Sequence, residues 1–177
     1  ALITCIFGSA LGLLAGYYGG WWDRVISRLV DIWMAFPPVL FAVLLVAVMG
    51  TGLTSVIAAI ALIDWTRFAR VIRAETMVQA RMDYVDSARI GGARRLATLV
   101  GEILPNVLPQ LIVVATLEAA SAILLEAALS FLGLGVQPPR PSWGTMLNAA
   151  QQFLETAPWM AWWPGLAIFS LALSFNL

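Results

Sequence analysis

DYVDSARIGGARRLATLVGEILP, Asp83 to Pro105, is a polar, charged interruption in a chain that is otherwise largely lipid-compatible. Asp83 is expected to cap a short helix, with Tyr84, Val85 and Ala88 on one side of it. Gly91-Gly92 offers residues that accept φ > 0, so it should end that helix and turn the chain. A second helix is expected from Ala93 to about Glu102, with Pro105 opening the next apolar span. The product is a compact helix-turn-helix held outside the apolar phase. On charge pattern alone it is a solvated amphipathic connector between two spans.

The rest of the chain explains why such a connector stands out. Of the 177 residues, 61% are hydrophobic and only 11% charged, which is far from a soluble average and predicts an integral helical membrane protein. The fold class expected is all-α, a polytopic transmembrane helical bundle. Ten basic residues balance ten acidic ones, so nothing suggests a nucleic-acid footprint. There is no His and no Lys, and the single cysteine is Cys5. That removes a zinc cluster, Cys-His and Ser-His pairs, a Walker lysine and any disulfide within the chain. No catalytic residue, metal or cofactor is therefore expected, and energy for any work must come from elsewhere. Cys5 reads as a small packing residue; LITC faintly resembles a lipoprotein cleavage box, but no basic segment precedes it. Ala1 lies inside one uncharged run and Leu177 inside another, so the chain reads as a piece of a longer protein.

Five spans are expected. Residues 1–22 carry no charge, and the first span, 1–20, is long enough for a hydrocarbon core of about 30 Å. Gly8, Gly12, Gly16 and Gly20 recur every four residues, placing a bare seam on one face where another helix can approach closely. Trp21, Trp22, Asp23, Arg24, Arg28 and Asp31 follow as an interfacial helix with aromatics at headgroup level. From Ile32 to Ile63 no residue is charged, and as a single helix this run would overshoot a bilayer. Gly50-Thr51-Gly52 should split it into spans 33–49 and 53–66, with Phe36-Pro37-Pro38 opening the first.

A polar loop, 67–105, comes next. Arg67, Arg70, Arg73, Arg81, Arg89, Arg94 and Arg95 lie between Asp64 and Glu102. Two spans separate this loop from Arg24 and Arg28, so all nine arginines share one face and only Arg140 is on the other. The positive-inside rule makes the nine-arginine face cytoplasmic.

The fourth span, 106–129, contains Glu118 and Glu126. A carboxyl group in hydrocarbon is costly, so each should face other helices, an aqueous path or the interface. A substrate-pathway role and structural hydrogen bonding are both open for them, and Glu126 also fits the outer interface. Ala115, Ala119 and Ala122 smooth part of that surface for close helix contact. Segment 130–158 is rich in Pro, Gly and Trp and should be an ordered extracytoplasmic loop, with a short helix from Trp143 to Glu155. Pro158 and Pro164 should flank the start of the last span, 159–177.

Asp86-Ser87-Ala88, three residues, Gly92, nine residues and Glu102-Ile103-Leu104-Pro105 resemble the cytoplasmic loop of ABC-importer permeases: Glu-Ala-Ala, three residues, Gly, nine residues, Ile, any residue, Leu-Pro. Ala88, Gly92, Leu104 and Pro105 match, Asp86 replaces Glu, and Ser87 and Glu102 depart. LEAALSFLGLGVQPPRPSWG, Leu125 to Gly144, and GYYGGWWDRVISRLVDI, Gly16 to Ile32, also look like the peptide and nickel (dipeptide/oligopeptide permease) branch of that family. The resemblance implies a type I ABC-importer permease core in a bacterial or archaeal cytoplasmic (inner) membrane. Its polar loop would be a coupling helix, with Tyr84, Asp86, Ser87, Ala88, Arg89, Gly92, Leu104 and Pro105 engaging the ATPase. Implied partners are a homologous second permease, two cytoplasmic ATP-binding subunits, an extracytoplasmic substrate-binding protein and the lipid bilayer. The implied cargo is di- or oligopeptides, or a related small solute such as a nickel chelate. ATP hydrolysis would occur in the partners, so this chain is not expected to be an enzyme.

The alternative from another class is an ion-coupled secondary transporter or channel, which predicts paired midplane charges or broken helices repeated in two halves. Only Glu118 is a deep charge by position, and no internal repeat is visible. A membrane-embedded hydrolase lacks a catalytic constellation.

Overall fold

The computed structural model describes residues 2–137 and 139–177. Among these the regular structure is entirely helical. The helices are α1 (Leu2–Tyr18), α2 (Gly20–Met34), α3 (Pro38–Met49), α4 (Leu53–Gln79), α5 (Asp83–Ile90), α6 (Arg95–Thr98), α7 (Leu104–Phe131), α8 (Trp143–Ala150) and α9 (Trp159–Asn176). They form two compact units, one of Leu2–Ala35 with Asp64–Ala115, the other of Phe36–Ile63 with Thr116–Leu177.

The first unit is built on the glycine seam. A Cβ on Gly12 would lie 2.7 Å from the Ala69 carbonyl oxygen and 2.9 Å from the Arg73 nitrogen, and one on Gly16 would lie 2.7 Å from the Arg73 carbonyl oxygen. Gly8 stands equally close to Phe68. Backbone therefore rests on backbone along α1 and α4, as small residues permit. Gly20 does not belong to this seam: no atom lies within 4 Å of its would-be Cβ. The helix ends at Tyr18, and Gly19 and Gly20 take φ of 63° and 56° to redirect the chain into α2. Four-residue spacing places residues on one face only while the helix continues. Beyond the seam, Ala15, Ile26, Val30, Trp65 and Ala69 form one buried cluster. Ile72, Val85, Leu99, Ile103 and Val107 form another.

The second unit buries Ala42, Val56, Ala59, Ile63 and Leu129 together. As expected, Pro37 and Pro38 open α3, and Gly50 and Gly52 break the run before α4 with φ of 86° and 146°. Pro158 precedes α9, but Pro164 lies inside that helix rather than flanking it. The expected helix from Trp143 to Glu155 is shorter: α8 ends at Ala150, and a single 3₁₀ turn, Gln151–Phe153, follows. Much apolar surface faces outward, including Trp162 and Trp163 of α9, as lipid or protein contact requires.

Helix extents differ from the expected boundaries in three further places. α2 runs on to Met34, which leaves α3 only 12 residues, about 18 Å. α4 continues through Arg67, Arg70 and Arg73 to Gln79, so much of the expected loop 67–105 is helix. The helix expected from Ala93 to Glu102 starts at Arg95 and does not stop: Arg95–Phe131 is one continuous helix. Pro105 is absorbed by a π-turn over Leu99–Ile103, where the Leu104 N–H donates to the Leu99 carbonyl. The wider turn accommodates a ring that lacks an N–H, and the Asn106 side-chain amide donates to the Glu102 carbonyl at 2.7 Å. Among the described residues Arg95–Phe131 is the one continuous helix long and apolar enough to cross a membrane, with α1 a shorter apolar helix.

Candidate coupling site

α5 is polar over most of its surface and attached by one face. Val85 is fully buried among Ile72, Leu99, Ile103 and Val107, with Tyr84 packed beside it. Ala88 is half-buried, while Asp83, Asp86, Ser87, Arg89 and Ile90 are exposed. Ile90 is 88% exposed, an apolar side chain presented at the end of a charged helix. Among the motif residues, those from Tyr84 to Gly92 lie together on α5 and its turn. Leu104 and Pro105 stand instead on the long helix whose Ile103 and Val107 hold Val85 in place.

The ends of α5 differ from expectation in ways that local chemistry explains. The N-cap residue is Met82, in extended backbone and without a side-chain cap, so Asp83 belongs to the first turn. Asp83 and Asp86 at the start, and Arg89 at the end, complement the helix dipole. Gly91 has φ −68° and is an ordinary helical end; only Gly92, at φ 83°, is left-handed. The Gly92 N–H donates to the Arg89 carbonyl and the Ala93 N–H to the Ala88 carbonyl, both at 3.0 Å. This is a Schellman closure, whose C′ position demands glycine. Ala88 and Gly92, two of the matched positions, are thus joined in one cap.

Side-chain links secure the module. The Tyr84 hydroxyl donates to Gln79 Oε1 at 2.8 Å, and burial is the main cause that raises its pKa above the ordinary tyrosine value. The Arg89 guanidinium lies 5.5 Å from the Tyr17 ring centroid, within cation–π range. Arg89 Nη1 also donates to Asp86 Oδ1 at 3.3 Å.

Two ion pairs hold α2 to α4. Arg73 donates to both carboxylate oxygens of Asp23, through Nε to Oδ1 and through Nη2 to Oδ2 at 2.9 Å. The bond to Arg73 is the largest influence on Asp23 and holds its pKa below the ordinary carboxylate value; the same bond raises that of Arg73. Arg70 Nη2 pairs with Asp31 Oδ1 at 3.1 Å on a more exposed edge. Sequence reasoning placed the two aspartates on an interfacial helix and the two arginines in the polar loop, without pairing them. The signal available was that Arg70 and Arg73 sit one helical turn apart opposite a short helix carrying two aspartates.

The remaining candidates lie in the other unit. Glu118 is buried. Glu126 is half-buried and accepts a hydrogen bond from the Ser130 hydroxyl at 2.7 Å, a partner that sequence reasoning missed. No cluster of three metal-ligating side chains exists among the described residues.

Comparison with known proteins accounts for nearly the whole chain. Residues 8–177 match the family described as binding-protein-dependent transport system inner membrane component. A glutathione transport system permease protein of Pectobacterium atrosepticum is 44% identical over 176 residues, covering 99% of this chain and 58% of the relative. A dipeptide transport system permease protein of Alkalihalophilus pseudofirmus is 43% identical over 172 residues, covering 97% of this chain and 57% of the relative. The corresponding dipeptide permease of Haemophilus influenzae is 43% identical, with 99% and 60% covered. The chain therefore spans less than two thirds of the length of these relatives. With its all-helical fold and these matches, it belongs to the inner membrane components of binding-protein-dependent transport systems, the ABC-importer permeases of the peptide and nickel branch.

Proposed function

We propose that this chain is the core of a multi-pass permease subunit that imports small peptides, with α5 as the helix through which ATP-hydrolysing partners drive it. The observation that carries the proposal is the construction of α5. Val85 anchors it to the long helix Arg95–Phe131, while its outer face presents Asp86, Ser87, Arg89 and the exposed Ile90. A push on that outer face is transmitted to a membrane-length helix through packed side chains, because a close-packed core moves as a body. The names of the relatives, dipeptide and glutathione transport systems, direct the cargo to small peptides. The nine-arginine face, carrying α5, is cytoplasmic in this reading, and the five expected stretches cross the inner membrane. A second permease, two ATPase subunits and an extracytoplasmic binding protein complete the importer.

Ile90→Cys in the full-length subunit, expressed with its partners, provides the test. A short bifunctional thiol reagent should join position 90 to an ATP-hydrolysing subunit, and the yield should change when ATP is trapped. Cross-linking to no ATPase, with uptake intact, would reduce α5 to a solvated connector.

A further inference from the structure

The segment from Leu125 to Gly144 assembles a site that the coupling argument does not use. An open cavity of about 500 Å³ is lined by residues that include Leu53, Glu126, Val136, Trp143 and Met146. The Glu126 carboxylate is hydrogen-bonded one turn along its own helix. The Ser130 hydroxyl, fully buried, donates to Glu126 Oε1 at 2.7 Å and itself accepts from the Val136 N–H at 3.2 Å. Glycine permits this arrangement: a Cβ on Gly135 would lie 2.6 Å from Ser130 Cα, and one on Gly144 would lie 2.6 Å from Ser130 Cβ. Trp143 stands at the first position of α8, where its backbone is fixed while the residue stays 39% exposed. Ser142 caps that helix reciprocally with Thr145, and the Asn148 amide donates to the Phe131 carbonyl at 2.6 Å.

We propose that this cavity binds the ammonium group of a small peptide, with Glu126 as counter-charge and Trp143 as the aromatic wall. The chemistry follows from the lining. An apolar ligand would strip water from the carboxylate without replacing it, and an anion would be repelled. A metal ion would lack further ligands, since no three such groups cluster among the described residues. A primary ammonium donates to the carboxylate, is attracted to an indole face and can leave an apolar side chain against Leu53, Val136 and Met146. Arg140, the arginine of this segment, is not part of the lining. The proposal rests on the peptide-import reading and gives the outer segment a direct hold on the free amino terminus.

The test uses Met146→Cys with Cys5→Ser in the full-length permease complex, in membranes without binding protein. Labelling of position 146 by a thiol reagent is timed with and without an apolar dipeptide. A Kd of about 1 mM makes 10 mM dipeptide slow labelling roughly tenfold. The N-acetylated dipeptide should give no slowing, and Glu126→Gln should abolish protection while leaving the ligand-free rate unchanged. The comparison of free and blocked amine in the unaltered site needs no folded Gln variant. Equal protection by the acetylated peptide, protection retained in Glu126→Gln, or no protection at all would each overturn the proposal. ATP-driven dipeptide uptake by the complete system is measured in parallel. Its absence counts against peptide import, whereas uptake without amine-dependent protection counts against this site alone.

Discussion

Arg73 on α4 holds Asp23 on α2 by both carboxylate oxygens, with its Nε and Nη2 donating side by side. This fork geometry is available to arginine and not to lysine. Asp23→Asn should cost about 1 kcal/mol, seen as a lower unfolding temperature of the purified complex. Arg73→Lys should recover only part of the loss. The acid dependence has a definite sign. Because the folded-state pKa of Asp23 is depressed, its contribution is full above the unfolded value, about 3.9, and fades as pH falls towards the folded one. The difference between wild type and Asp23→Asn should be constant at neutral and mildly acid pH and close below about pH 4. A constant difference throughout would mean that the pair carries no linkage.

The glycine seam divides into two kinds of position. Gly12→Leu must push α1 away from Ala69 and Arg73, and should cost about 2 kcal/mol or more, seen as lost yield of assembled complex. Gly20→Ala meets no neighbour and pays only for a left-handed backbone, about 1 kcal/mol. Equal effects of the two changes would show that α1 does not rest on α4.

Gly91 and Gly92 should respond oppositely despite being adjacent. Gly91 has helical φ and its would-be Cβ finds its nearest neighbours at 3.4 Å. Gly91→Ala should therefore preserve coupled uptake within about twofold. Gly92→Val forces a β-branched residue to φ 83°, which should leave insertion intact while abolishing uptake and ATPase association. ATP hydrolysis and uptake, recorded together in reconstituted complexes, check this. Normal coupling in Gly92→Val would mean that the Schellman turn has no role in transmission.

Topology can be read by cysteine labelling in intact cells. An impermeant reagent should modify position 140 at least about tenfold faster than position 94, following the arginine partition. Similar rates would overturn the assignment of the polar face to the cytoplasm.

The helical character of the chain, the breaks at Gly50 and Gly52, the close-packing role of Gly12 and Gly16, and the polar helix-turn at Asp83 to Gly92 were all determined by sequence. Each follows from composition, four-residue spacing or the backbone range of glycine, which are local properties. The same local logic misassigned Gly20, Gly91 and Asp83, because a seam, a left-handed turn and a cap depend on where a helix ends to within one residue. Nor could it see that Pro105 would be carried through by a π-turn, since that needs the Asn106 amide and the Leu99 carbonyl in position. Only the tertiary structure decided that Asp23 meets Arg73, that Val85 is buried against Ile103 and Val107, and that Glu126 and Trp143 line one cavity. Those contacts join residues separated along the chain or held by a neighbouring helix, and close packing of whole elements, rather than any local preference, selects them.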